Sequence, residues 1–182
     1  MFTDRLKDVR HVMEENEVEA LLLSVGADLP YFTGYEAMPL ERLTMLVLPR
    51  EGQAKLIVPA LEAPRVQEQP EIFTLRPWKE SEDPIEILVE ELGGSTSVAV
   101  GDTTWTRFTI ELLNKLPNLR LSRANSITSI IRSKKSPDEI ERLKKAASAV
   151  DRIAARLQSG EIQLIGKSES QVSNELGTQI LE

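Results

Sequence analysis

Phe2, Leu6, Val9 and Met13 recur at steps of three and four, with Thr3 or Asp4 near the start. That spacing follows the 3.6-residue helical period and predicts an amphipathic helix. The pattern then breaks into short, unbroken apolar runs. "EALLLS" (19–24), closed by Gly26, predicts a buried strand. "LTMLVLP" (43–49) and "KLIVPA" (55–60) predict two more strands, and the turn "REGQA" between them makes a hairpin. "EIFTLRP" (71–77) reads as a fourth strand, at an edge. "DPIEILVEEL" (83–92) is a helix that starts at Asp83 with Pro84 in its first position and stops at Gly93-Gly94. "SVAVG" (97–101) is a strand, "TRFTIELLNKL" (106–116) a helix cut off by Pro117, and "LRLSRA" (119–124) a last strand. Strands and helices in this alternation predict an α/β fold, a parallel or mixed sheet flanked by helices.

A different pattern begins near residue 132, at "RSKKSPDEIERLKKAA". Ser136 is a good N-cap, Pro137 suits the first helical position, and Asp138 and Glu139 sit at the positive end of the helix dipole. Ser136 and Glu139 also have the spacing of a capping box. Behind them Ile140, Leu143, Ala147, Val150, Ile153, Ala154 and Leu157 form one apolar stripe. Asp138–Arg142 and Glu141–Lys145 have the i,i+4 spacing of ion pairs. From Pro137 to Gln158 the helix would span roughly 33 Å. Arg132, Lys134 and Lys135 then fall in a short linker (132–135), and a solvated linker explains them better than a binding patch. After Gly160, Ser168 is expected to start another helix, with Val172, Leu176 and Ile180 on one face. The chain reaches Glu182 inside that pattern. The expected organisation is therefore a first domain over 1–131 and the opening helices of a second over 136–182.

Composition narrows the class. The 182 residues are 41% hydrophobic and 28% charged, with a formal net charge of -7, which suits a globular chain. The acidic balance argues against a nucleic-acid surface, since that affinity rests on Lys and Arg neutralising phosphates. Without cysteine there is no disulfide and no thiolate metal site. No apolar run approaches the ~20 residues that cross a bilayer, and the N-terminus lacks the apolar stretch of a signal peptide. A soluble, cytoplasmic protein with no membrane and no nucleic-acid partner is expected.

Five stretches, taken in order, resemble a known family. They are "YFTGY" (31–35), "ERLTMLVLP" (41–49), "LIVPALE" (56–62), "IRSKKSPDEIERLKKAA" (131–147) and "GKSESQVSNEL" (166–176). Their sequence of appearance is similar to that of the Xaa-Pro aminopeptidases and prolidases, the pita-bread metallopeptidases related to creatinase. The Arg132–Glu141 core, which in the family joins the N-terminal domain to the catalytic one, is the most specific part. The resemblance implies a creatinase-like N-terminal α/β domain with a mixed sheet, followed by the first helices of a truncated catalytic domain. It further implies a homodimer that hydrolyses the bond before a proline in second position, using two divalent ions, manganese or cobalt. A metal pair would lower the pKa of a bridging water and stabilise both the attacking and the carbonyl oxygen. The family's ligands, two Asp, one His and two Glu, lie in the catalytic domain beyond this chain, so no catalytic or metal residue and no cofactor is assigned within it. By itself the chain is expected to be inactive. Two alternatives stand beside this reading: a homologue without ligands that binds other proteins, and a creatinase-like amidinohydrolase.

Chemistry-bearing residues are few. The lone histidine, His11, falls on the polar side of the first helix, where solvation explains it. "GKS" (166–168) lacks the glycine spacing and the preceding strand of a phosphate loop. Gly93-Gly94-Ser95 reads as a helix stop. Ser24, Thr44 and Ser122 have no histidine base near them in sequence. The segment that carries a functional expectation is "PYFTGYEAMPLER" (30–42), predicted as turn and holding both tyrosines. Aromatics beside a turn suit a pocket or an interface, and in the dimeric family members this region reaches toward the partner's active site. Tyr31, Phe32, Tyr35, Glu36 and Arg42 are the candidate substrate-pocket or interface residues. The competing reading has Tyr31 and Phe32 packing a strand end while Glu41 and Arg42 are solvated.

Overall fold

The structure, a computed structural model, describes residues 1–181, and Glu182, the last position of the expected second domain, lies outside them. The chain divides into two compact units, Met1–Ser133 and Lys134–Glu182.

The first unit is built on six strands: β1 (Ala20–Ser24), β2 (Met45–Pro49), β3 (Lys55–Pro59), β4 (Thr74–Trp78), β5 (Ser97–Val100) and β6 (Arg120–Arg123). Their order across the sheet is β4-β3-β2-β1-β5-β6. β2 pairs antiparallel with both β1 and β3, whereas β3–β4, β1–β5 and β5–β6 are parallel. Only β2 therefore runs against the rest, and the sheet is mixed. β1 is central and buried along its whole length, which is why it reads as an unbroken apolar run. Leu21 and Leu23 face one side and Ala20 and Leu22 the other, each into its own core. Each buried leucine contributes about 1.5–3 kcal/mol, enough to make this strand the anchor of the unit.

Helices α1 (Phe2–Glu15), α2 (Asp28–Thr33) and α5 (Asn125–Ser133) cover the first face. Helices α3 (Pro84–Leu92) and α4 (Thr106–Lys115) cover the second. α3 starts as its sequence predicts: Asp83 accepts from the Ile85 N–H at 2.8 Å, Pro84 follows, and Gly93 ends it at φ 58°. Two helices depart from expectation. α2 stands where "PYFTGY" predicted only a turn. α5 occupies 125–133, where no helix was expected, so Arg132 lies in its last turn rather than in a solvated linker. α5 is rich in β-branched and hydroxyl residues that weaken helix propensity, and its burial of Ile127 and Thr128 compensates.

The second unit contains α6 (Pro137–Gln158) and α7 (Glu169–Leu181). The capping box of α6 forms as expected, with Ser136 N–H donating to Glu139 at 2.8 Å and Glu139 N–H to Ser136 Oγ at 3.3 Å. Ser168 caps α7 in the same reciprocal way with Gln171, so "GKS" reads as a helix entry. Neither expected i,i+4 pair, Asp138–Arg142 nor Glu141–Lys145, occurs among the described residues. Such pairs gain only tenths of a kcal/mol, less than the entropy of fixing two long side chains. The apolar stripe of α6 is largely open, with Ile140, Leu143 and Val150 all exposed.

Candidate functional site

Because β2 alone is reversed, five strands deliver their carboxyl ends to one edge of the sheet. The chain progresses from β1 outward through β2, β3 and β4, then returns to place β5 on the other side of β1. In open α/β sheets the crevice at such a switch point, outside the carboxyl ends, is the favoured place for a site. The long connection from α2 to β2, residues 34–44, lies at this edge.

Its entry is fixed tightly. Thr33 donates to the Leu29 carbonyl at 2.6 Å and accepts from Tyr35 N–H at 3.1 Å. Gly34 closes α2 at φ 73°, a backbone conformation that favours glycine, and a Cβ there would press on the Phe2 ring at 3.0 Å. The exit is fixed as well. Buried Trp78 donates from Nε1 to the Leu43 carbonyl at 2.9 Å, Arg42 pairs with Glu80 at 2.8 Å, and Arg107 donates to the Glu41 carbonyl. Between these anchors Met38 is 62% exposed and Leu40 is 36% exposed. The result is an apolar tip on a clamped base.

Two narrow clefts flank that base. One, of about 10 Å³, is lined by Tyr35, Met38, Arg42, Thr44 and Glu62 among others. The other, of about 30 Å³, lies at the switch point between Ser24, Leu40, Arg42, Thr44, Trp105 and Phe108. A water needs about 10–15 Å³, so neither cleft encloses a nucleotide, a peptide or an organic cofactor. Burial pushes the Tyr35 phenol above its ordinary range, the Glu62 carboxylate adds to the shift, and Arg65 opposes it.

The five expected residues do not act as one set. Tyr35 and Arg42 meet at the same cleft, and Glu36 is exposed beside them. Tyr31 and Phe32 instead pack on the α1 side of the sheet, their rings edge to face at 5.0 Å. Phe32 is fully buried. The Arg5 guanidinium lies 3.8 Å from the Tyr31 ring centroid and donates to the Tyr31 carbonyl at 2.6 Å. Arg132 pairs with Asp28 at 2.7 Å, and Thr128 donates to the same carboxylate at 3.1 Å. Ser24 is held by Thr104 at 2.9 Å, and His11 is exposed 3.5 Å from Glu15. Missed from the sequence were Trp105, Arg107 and Phe108. Their one visible signal was an aromatic, rather than Ser, Thr or Asp, directly before a helix.

Among the described residues no group of three or more His, Cys, Asp or Glu could hold a metal ion. The residues present therefore do not fit the two-ion centre that the family resemblance implies. No helix among them is long and apolar enough to cross a membrane.

Residues 5–134 match the family described as the Creatinase/Prolidase N-terminal domain, and the chain belongs to that family. It is 30% identical over 165 residues to the probable dipeptidase PepE of Mycobacterium tuberculosis, covering 88% of this chain and 43% of that protein. Its fold matches the crystal structure of dipeptidase PepE from Mycobacterium ulcerans with a TM-score of 0.88 at 29% identity, over 99% of this chain and 49% of that one. The recombinant prolidase from Thermococcus sibiricus matches at 0.86 and 26% identity, again over 99% and 49%. The chain thus spans about half the length of these three relatives.

Proposed function

We propose that this chain is the noncatalytic front part of a cytoplasmic, metal-dependent peptidase that hydrolyses Xaa-Pro bonds. In this reading residues from about 136 onward open the catalytic domain, and the ions and their ligands belong to residues outside the 182. The likeness that carries the reading is the one to dipeptidases and prolidases, which extends over nearly all of this chain and half of each of theirs. The contribution of the first unit is to wall the entrance of a substrate site built elsewhere, within a homodimer. Support comes from the loop 34–44, whose fixed base and exposed Met38–Leu40 tip are a shape suited to reaching another surface.

The deciding experiment compares the 182 residues with a version of the protein extended by about one further domain, ~200 residues. The extended protein should cleave Ala-Pro with added manganese and stop with chelator, while the 182-residue chain should do neither. Cleavage of creatine in place of Ala-Pro would move the reading to an amidinohydrolase. An extended protein without metal dependence or hydrolysis would make it a binding module. A stoichiometric pair of tight manganese ions on the 182-residue chain would sink the assignment of the ligands elsewhere.

A further inference from the structure

The first turn of α4 carries a cation where the helix's own partial charge is positive. Trp105 is its N-cap with no side-chain cap, Arg107 follows two residues later, and no acidic residue lies in the turn. The unsatisfied N–H groups at a helix start favour anions, so an arginine there works against its own helix. Its gains lie outside the helix. The guanidinium sits 4.5 Å from the Phe108 ring centroid and 5.5 Å from that of Trp105. From the same group Nη2 donates to the backbone carbonyl of Glu41, far away in sequence. The two rings stack at 6.2 Å with an interplanar angle of 18°. Phe108 is buried in the second core and anchors the pair, with Trp105, 46% exposed, stacked on it from outside.

We propose that Arg107 is a positioning residue for the loop 34–44, transmitting the rigidity of the Trp105–Phe108 platform to the Met38–Leu40 tip. The other anchors hold Arg42 and Leu43, nearer the strand. The Glu41 carbonyl lies closer to the tip than either. A planar guanidinium lies flat on an aromatic ring while its edge donates a directed bond, which a lysine ammonium does not reproduce. Arg107 acts through the loop and is not a catalytic residue. The consequence for a substrate entrance rests on the function proposed above. The positioning itself is measured on the 182-residue chain without any activity.

The test is backbone ¹⁵N relaxation of the wild type, Arg107→Lys and Arg107→Met, with a thermal melt of each. In both variants the order parameters of Met38, Leu40 and Glu41 should fall from the rigid range of about 0.85 toward or below about 0.6. The melting temperature should fall by only about 2–4 °C in Arg107→Lys, which loses one exposed hydrogen bond and the stack, and by less in Arg107→Met, where a positive charge also leaves the positive helix end. Unchanged loop order in both variants overturns the proposal. So does wild-type order in Arg107→Lys, since the planar stack would then be dispensable. A fall in order that spreads from the loop into β1, β2 and β5 overturns it too, because that is general loss of packing. None of these outcomes bears on the peptidase reading, which the Ala-Pro assay decides.

Discussion

Replacing Asp28 by alanine should cost far more than replacing its partner Arg132. The pair is 2.7 Å apart, with side-chain exposures of 20% for Asp28 and 41% for Arg132. At that exposure a salt bridge is worth about 0.2–1 kcal/mol, so Arg132→Ala should cost about that much. Asp28→Ala loses the same pair and also strands the Thr128 hydroxyl, which is wholly buried and bonded to Asp28 at 3.1 Å. A buried hydroxyl without a partner costs about 1–3 kcal/mol, so the total should be about 1–4 kcal/mol. Removing both members of that bond, in Asp28→Ala/Thr128→Val, should recover about 1 kcal/mol of the loss. Urea denaturation followed by tryptophan fluorescence measures this cleanly, because both tryptophans, Trp78 and Trp105, lie in the first unit. In a double-mutant cycle the Asp28–Arg132 coupling should be about 0.5 kcal/mol at low salt and shrink at 1 M salt, where the screening length is about 3 Å. If Arg132→Ala costs as much as Asp28→Ala, the carboxylate is not the hub and the reasoning fails.

Trp78→Phe should destabilise the first unit by about 2–3 kcal/mol, since it leaves the buried Leu43 carbonyl without its 2.9 Å donor; a shift under about 0.5 kcal/mol in urea would mean another donor takes over. Ser136→Ala should cost α6 about 1 kcal/mol by removing the capping box, read as faster exchange of the Glu139 amide and none in the first unit. Glu19 should make stability pH-dependent. The backbone N–H groups of Thr96 and Ser97 hold its carboxyl below its ordinary 4.5. A depressed folded pKa gives stabilisation that is complete above the unfolded value and lost as pH falls through the folded one. The advantage of wild type over Glu19→Gln should thus be full at pH 6 and vanish in acid; a difference that does not change with pH would refute the assignment.

The fold was legible where local signals agreed with tertiary need. β1 is a bare apolar run because it is buried on both faces, and the termini of α3 and α6 follow their Asp83 and Ser136 caps. α5 was hidden because "NSITSIIRS" has weak intrinsic helicity and forms by burying Ile127 and Thr128. α2 was hidden because only six residues separate its start from Gly34 and Pro30 falls in its first turn, where proline is tolerated. The sequence placed all five candidate residues in one segment but could not show which side of the sheet each would meet. Phe32 turns into the core and Arg42 toward the cleft because of which helix covers which face of the sheet. Arg107 was invisible for the same reason, since its partner at Glu41 is 66 residues away.

The reversed direction of β2 has a practical consequence at the far end of the sheet. The turn around Gly52 and the Gly93-Gly94 stop of α3 both lie at the amino edge in open space; their positive φ keeps the glycines themselves, and the exposed neighbours Glu51 and Gln53 are the positions that would take an attachment. That rim is a natural handle. A fluorophore, affinity tag or surface tether attached there would leave the opposite rim, with its clamped loop, untouched.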